Sequence, residues 1–308
     1  EMVAGLNSGQ VFLVNQAQGF NWQDYTVHDK VHPNKAGAEK MATVWFEALK
    51  KVLASSETVF SPDIVRYKTL ENGDSLALHI FKPRNMQAGE KRPVIVYFFG
   101  GGWKLGTPLQ FYRECAYYAS KGMVAVSVDY RIEYLHHSTP FDSFEDAKDA
   151  ICWLRSHASD YQLDPDKIAV AGGSAGGHLA AALGTIGSDE AVNYRPNLSV
   201  LYYPVVDMVS RGYGFPEIKR DFEKISPIHH VSEASPSTLI LLGTKDPIVS
   251  VETIRSYQDK LLQKGVDCEL HLFEGAGHPI FLYRKPLTED YYKVRKLTDD
   301  FLKREGFL

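Results

Sequence analysis

Lys167-Ile168-Ala169-Val170-Ala171 runs into Gly172-Gly173-Ser174-Ala175-Gly176, and this into Gly177-His178-Leu179-Ala180-Ala181-Ala182-Leu183. The first five residues read as a short buried strand and the last seven as a helix. Between them stands Gly-x-Ser-x-Gly. On a strand-to-helix turn the serine of such a motif sits in a strained conformation, and only small neighbours let the backbone fold so tightly. Its hydroxyl is pushed out at the top of the sheet. The N–H of Ala175 points at the same spot from a helix N-terminus, where partial positive charge favours an anion. Glycine-serine loops are common, so the motif gains its weight from the strand before it and the alanine-rich helix after it.

The stretches on either side place that elbow in a sheet. Upstream, 63–69 and 75–81 read as two strands joined by Glu71-Asn72-Gly73-Asp74, whose Asn-Gly is a hairpin signal. The apolar runs at 93–99 and 123–128 fit strands buried on both faces, with helices at 109–121 and 143–158 between the strands. Downstream, strands at 198–203, 238–242 and 269–273 are separated by a loop-rich segment and a helix at 251–264, and a last helix covers 290–303. Strands alternating with helices mean a mostly parallel sheet with right-handed crossovers after an antiparallel start, and helices on both faces. The irregular segment 204–236 is long enough to read as a cap or lid.

Catalytic groups in such a sheet gather at the carboxyl ends of the strands. The loop after 238–242 carries Asp246 and the loop after 269–273 carries His278, which gives the chain order Ser, Asp, His. His278 would take the proton of Ser174 and return it to the leaving alcohol. Asp246 would hold the imidazole in the right tautomer. Asp207, after the strand at 198–203, is the rival acid. Gly100-Gly101-Gly102 follows the strand at 93–99 and lets the backbone come close to a substrate oxygen. The Gly101 and Gly102 N–H groups, joined by that of Ala175, make the expected oxyanion hole, and Trp103 is the expected substrate contact.

Gly100-Gly101-Gly102-Trp103, Asp129-Tyr130-Arg131, the elbow with Gly177-His178, Asp246 and His278 together resemble an α/β-hydrolase-fold carboxylesterase of the kind with His-Gly-Gly-Gly before its first core helix. The resemblance spans almost all of 60–308. One departure stands out: Phe99 occupies the position of the family's histidine, which helps to hold the oxyanion loop. Asp129 and Arg131 are expected to form an ion pair or hydrogen-bond set near the site, and His178 to pack beneath the elbow. His136-His137 and His229-His230 read as loop or cap residues. No third ligand with metal spacing accompanies them, and the reaction needs no cofactor.

Bulk composition is that of an ordinary globular chain: 308 residues, 44% hydrophobic and 23% charged, with a formal charge of −4. Nothing in it points to nucleic acid or an anionic membrane as partner, and no apolar run is long enough to span a bilayer. The three cysteines, Cys115, Cys152 and Cys268, are far apart and read as buried free thiols.

Residues 1–56 read as a separate piece, with the esterase domain over 57–308. Asp29-x-x-His32-Pro33-Asn34-x-x-Gly37, followed by a helix over 36–53 with Asn34 as its N-cap, resembles the C-terminal end of an SGNH (GDSL-type) hydrolase. In that family the matching aspartate and histidine serve a serine far upstream, and no Gly-Asp-Ser block precedes Asp29. The resemblance implies the remnant of an upstream esterase domain, with Asp29 and His32 orphaned. SGNH hydrolases are rich in carbohydrate deacetylases, and two esterase domains in one chain suit one polymer. The expected reaction is therefore deacetylation of plant polysaccharide, acetylated xylan first, by a secreted or periplasmic bacterial enzyme. Feruloyl or small-ester hydrolysis are the alternatives on the same fold. A catalytically inactive, sugar-binding hydrolase fold is the alternative of a different class.

Overall fold

In the computed structural model the apolar run expected at 93–99 is strand β3, and its central residues Val94 to Phe98 are fully buried between two parallel neighbours. The structure describes residues 34–55, 61–84, 86, 87, 89–187, 194–208, 221–282 and 287–308, with the backbone alone over 46–55. Contacts divide the chain into two units, Glu1–Ser61 and Pro62–Leu308. In the first, helix α1 (Lys35–Ser55) starts where the Gly37 N–H donates to Asn34 Oδ1 at 2.9 Å, so Asn34 caps it as its side-chain chemistry suggests. Asp29 and His32 lie outside the described residues.

Among its described residues the second unit carries eight strands: β1 (Asp63–Thr69), β2 (Ser75–Phe81), β3 (Arg92–Phe98), β4 (Val124–Val128), β5 (Leu163–Gly173), β6 (Leu198–Tyr202), β7 (Ser237–Gly243) and β8 (Cys268–Phe273). They form one sheet in the order β1-β2-β4-β3-β5-β6-β7-β8. The β1–β2 and β2–β4 pairs are antiparallel and every later pair is parallel. Helices α2 (Tyr112–Ser120), α3 (Glu133–His136), α4 (Pro140–Ser156), α5 (Ala158–Tyr161), α6 (Ala175–Thr185), α7 (Val251–Gln263) and α8 (Glu289–Arg304) connect and follow the strands. The β3–α2–β4 crossover runs toward the β1 edge, whereas β5–α6–β6 runs the other way. With both right-handed, α2 and α6 lie on opposite faces. α8 joins α2 through Asp299, which accepts hydrogen bonds from Tyr117 and Tyr118 at 2.5 and 3.0 Å.

Helix α4 begins three residues before its apolar periodicity does. Thr139 and Asp142 form a reciprocal capping box, and Pro140 at the first helical position has the right φ and no N–H to satisfy. The same helix corrects the expected Asp129–Arg131 pair. Arg131 instead clamps the fully buried Asp146 carboxylate, with Nε to Oδ2 at 2.8 Å and Nη2 to Oδ1 at 2.9 Å. Lys68 adds a bond to Asp146 Oδ1 at 2.6 Å, and Arg131 also reaches Asp142 at 3.0 Å. A buried carboxylate needs its lone pairs filled, and two cations fill these. Burial pushes the Asp129 carboxyl up to about 6, against the opposing pull of His136. Of the cysteines, Cys115 and Cys268 are buried and Cys152 is only half-buried; all three are free.

The described parts of the segment expected to be a cap pack inward. Val205, Val206, Met208, Ile225 and Ile228 are buried. Ile228 N–H donates to Val206 O at 3.0 Å and Met208 N–H to Ser226 Oγ at 2.9 Å, closing the segment on itself against α6. Residues 209–220 lie outside the described residues.

Candidate active site

Ser174 occupies the single residue between β5 and α6. Its φ of 55° and ψ of −117° lie in a region that non-glycine residues rarely visit, a strain of about 1–3 kcal/mol that the surroundings hold in place. Ser174 N–H donates to Tyr202 O at 3.0 Å, and Ser174 O accepts from His178 N–H at 2.9 Å. A Cβ on Gly176 would lie 2.0 Å from Phe98 O, so the first turn of α6 can sit against β3 only with glycine there. The strand edge, the glycine and the two hydrogen bonds together hold the serine outward.

The loops after β7 and β8 bring the other two groups to it. His278 Nδ1–H donates to Asp246 Oδ2 at 2.6 Å, and His278 Nε2 accepts from Ser174 Oγ–H at 2.8 Å. The Asp246 side chain is fully buried and that of His278 is 13% exposed. Burial would raise the Asp246 pKa, but the bond from His278 and those from the Val249 and Ile248 N–H groups outweigh it and hold the carboxyl below its ordinary value. A carboxyl held down in this way stabilises the folded state above the ordinary carboxylate range. That contribution is lost as pH falls through the folded value. Asp207, the rival acid, lies 3.8 Å from His229 instead.

The glycine loop lies directly against the elbow. A Cβ on Gly100 would meet Gly173 O at 2.7 Å and Ser174 Cβ at 3.4 Å. Gly101 and Gly102 both have positive φ, 141° and 64°, and Gly101 O accepts from the Lys104 and Leu105 N–H groups, which closes the turn. Among the described residues the Gly101, Gly102 and Ala175 N–H groups donate to no protein acceptor. Three donors left open beside a serine hydroxyl are suited to an oxyanion that forms there.

Trp103 departs from the expectation of a substrate contact. It is 1% exposed, and its indole meets His178 edge-on at 5.1 Å. Its positive φ of 58° accompanies an inward-turned side chain. His178 is fully buried, its Nε2–H donates to Ile225 O at 2.7 Å, and burial lowers its pKa to about 4. It is therefore a neutral structural post that joins α6, the glycine loop and the 221–236 segment. Phe99 fills the position of the family's histidine by packing: its ring stacks on Tyr130 at 4.0 Å, and Tyr130 O–H donates to Phe99 O at 2.6 Å. Gln110 Oε1 accepts from Gly100 N–H at 2.6 Å and ties down the next residue. Phe99→Ala should cost about 3–5 kcal/mol of stability through the cavity and the lost stack, read by urea unfolding.

Two residues of this neighbourhood carry no sequence signal of their own. Tyr203, the residue after β6, packs edge-to-face on His278 with ring centroids 4.8 Å apart. Tyr134, in the short helix α3, is 81% exposed beside the glycine loop.

Comparison with known proteins gives the family. The BD-FAE family model matches residues 78–210, from within β2 to just past β6. Solved structures of esterase 2 from Thermogutta terrifontis, a propionate-bound form among them, are 36% identical, cover 80% of this chain and 95% of their own, and superpose with a TM-score of 0.75. The chain belongs to the α/β-hydrolase-fold esterases. Esterase LipC of Mycobacterium tuberculosis is 30% identical over 233 residues, 65% of this chain and 56% of that protein. Acetylxylan esterase of Xylanibacter ruminicola is 24% identical over 212 residues, 62% of this chain and 42% of that protein. The esterase chain spans about half the length of the curated relatives it matches.

Proposed function

We propose that this chain is a serine carboxylesterase acting through an acyl-enzyme on Ser174. The unbroken hydrogen-bond run from Asp246 through His278 to Ser174 Oγ carries the reading. Ser174 Oγ attacks the ester carbonyl carbon while His278 Nε2 takes its proton. The carbonyl oxygen becomes an oxyanion facing the Gly101, Gly102 and Ala175 N–H groups. Collapse breaks the ester C–O bond, and the departing alcohol receives the proton from His278. Water then repeats the cycle on the acyl-enzyme and releases the acid. A complete relay of this kind argues against an inactive sugar-binding fold.

Acetyl esters of plant polysaccharide are the proposed substrates, acetylated xylan first. The similarity to the Xylanibacter acetylxylan esterase supports this. So does the rim beside the glycine loop. Glu133 N–H donates to Trp103 O and Tyr134 N–H to Lys104 O, which sets exposed Tyr134 and Leu135 next to exposed Leu105. An open aromatic and aliphatic rim suits an alcohol part larger than a short alkyl chain, a sugar ring included. Hydrolysis of small esters is the second reading, favoured by the propionate-bound Thermogutta esterase. Residues 1–56 are proposed as the end of an upstream SGNH-type esterase domain serving the same polymer, in a secreted or periplasmic bacterial enzyme.

The deciding experiment measures acetate released from acetylated xylan and ferulate released from feruloylated arabinoxylan. Acetate without ferulate is expected. Ferulate release, or turnover of small synthetic esters alone, would overturn the polysaccharide deacetylase reading and leave the serine mechanism standing.

A further inference from the structure

We infer that Tyr203 is a positioning residue that holds the His278 imidazole in register with Ser174. Tyr203 is 4% exposed, and its ring meets that of His278 at 63° with centroids 4.8 Å apart, the tilted edge-to-face arrangement that aromatic pairs favour. Its other contacts run to the nucleophile's side of the site. A Cβ on Gly173 would lie 2.7 Å from the Tyr203 hydroxyl, so the phenol lies across the residue preceding Ser174. The backbone on either side of Tyr203 is bonded to the Ser174 peptide: Tyr202 O accepts from Ser174 N–H at 3.0 Å, and Val205 N–H reaches Ser174 O at 3.5 Å. Tyr203 N–H itself donates to Leu241 O at 2.7 Å, on the strand that leads to Asp246. One residue thus touches the peptide frame of the serine, the strand of the acid and the ring of the base.

Its backbone is held in an unfavourable place to do so. Tyr203 has φ of 40°, left-handed for a bulky residue, and it precedes Pro204, where the preceding residue is ordinarily driven to extended conformations. Strain of this sort persists only where the surroundings over-determine it, and it clusters at functional sites. Here the strained turn is what aims the ring at His278. The β8 loop that carries His278 is tied to the end of β7 through its backbone, Lys245 N–H donating to Ala276 O at 2.9 Å and Gly275 N–H to Thr244 Oγ1 at 2.8 Å, while a Cβ built on Gly275 or Gly277 would meet no atom within 4 Å. These bonds hold the loop's backbone, and the edge contact from Tyr203 adds a wall against the imidazole ring itself.

The inference rests on the reading of His278 as the general base, and the experiment separates the two. Steady-state kinetics on a p-nitrophenyl acetate substrate are compared for Tyr203→Leu, Tyr203→Phe, His278→Ala and Tyr203→Leu/His278→Ala, with thermal melts to confirm folding. Tyr203→Leu is expected to lower kcat about 10- to 100-fold with KM nearly unchanged, as for a reacting group displaced by a fraction of an ångström. Tyr203→Phe keeps the ring and is expected to restore kcat to within about fivefold of the unaltered chain. In the His278→Ala background the leucine substitution is expected to have no further effect, because there is no imidazole left to hold. An equal loss in Tyr203→Phe, a change in KM alone, or a full additional loss in the His278→Ala background would each overturn the positioning role. If His278→Ala itself retained activity, the general-base reading would fall first.

Discussion

Ser174→Ala lowers kcat on carboxylic esters by a factor of about 10⁶ and leaves the protein folded. The size follows from what the side chain does: in serine hydrolases of this logic, removing the nucleophile removes the covalent route, and only binding and the oxyanion donors remain. Nothing in the fold depends on the hydroxyl. The Ser174 backbone, through its N–H to Tyr202 O and its carbonyl to His178 N–H, is what holds the elbow, and alanine retains both bonds. Oγ makes its bond to His278 alone among the described side-chain contacts. The measurement is kcat on a small acetate ester beside a thermal melt. A variant that keeps more than about a hundredth of the activity would show that another group attacks the ester.

Asp246→Asn lowers kcat by about 10⁴, the second largest effect expected. The Asp246 carboxylate can only accept, so His278 must carry its proton on Nδ1 and turn a bare Nε2 to the serine. An amide in the same place can offer N–H to Nδ1 instead. The imidazole then carries its proton on Nε2, facing Ser174 Oγ, and has no lone pair there with which to take the serine proton. The carboxylate also stabilises the imidazolium that forms during attack, and the neutral amide does not. The Ile248 and Val249 N–H groups bonded to Asp246 Oδ1 can still be satisfied by the amide oxygen, so the loop keeps its shape. Activity with structure retained separates this electrostatic role from a packing one.

Much of the sheet was legible because its strands are continuous apolar runs set between helices. The hairpin around Asn72-Gly73 pairs β1 and β2 over the expected residues. The meeting of Ser174, Asp246 and His278 could be expected because each lies just past a strand, and strand order does the rest. What was illegible depends on distant partners. Arg131 reads naturally with nearby Asp129, yet its clamp is on Asp146, a residue of α4 fifteen positions away that burial makes the stronger partner. Helix α3 spans four residues, too few for a period. Trp103 after three glycines reads as a substrate contact, but its left-handed backbone goes with an indole packed against His178. Tyr203 gives no signal at all in the sequence beyond its place after β6; its meaning lies in a ring 75 positions further along.

In the proposed mechanism Ser174 is an activated nucleophile in a working relay. Incubation with an organophosphate such as paraoxon, followed by peptide mass mapping, tests it most directly, and a paraoxon-phosphorylated form of the similar Thermogutta esterase 2 is known in structure. The expected result is one stoichiometric phosphoryl adduct on the peptide holding Ser174, absent in Ser174→Ala and slowed by orders of magnitude in His278→Ala. Labelling of a different residue, or no labelling of a folded protein, would contradict it.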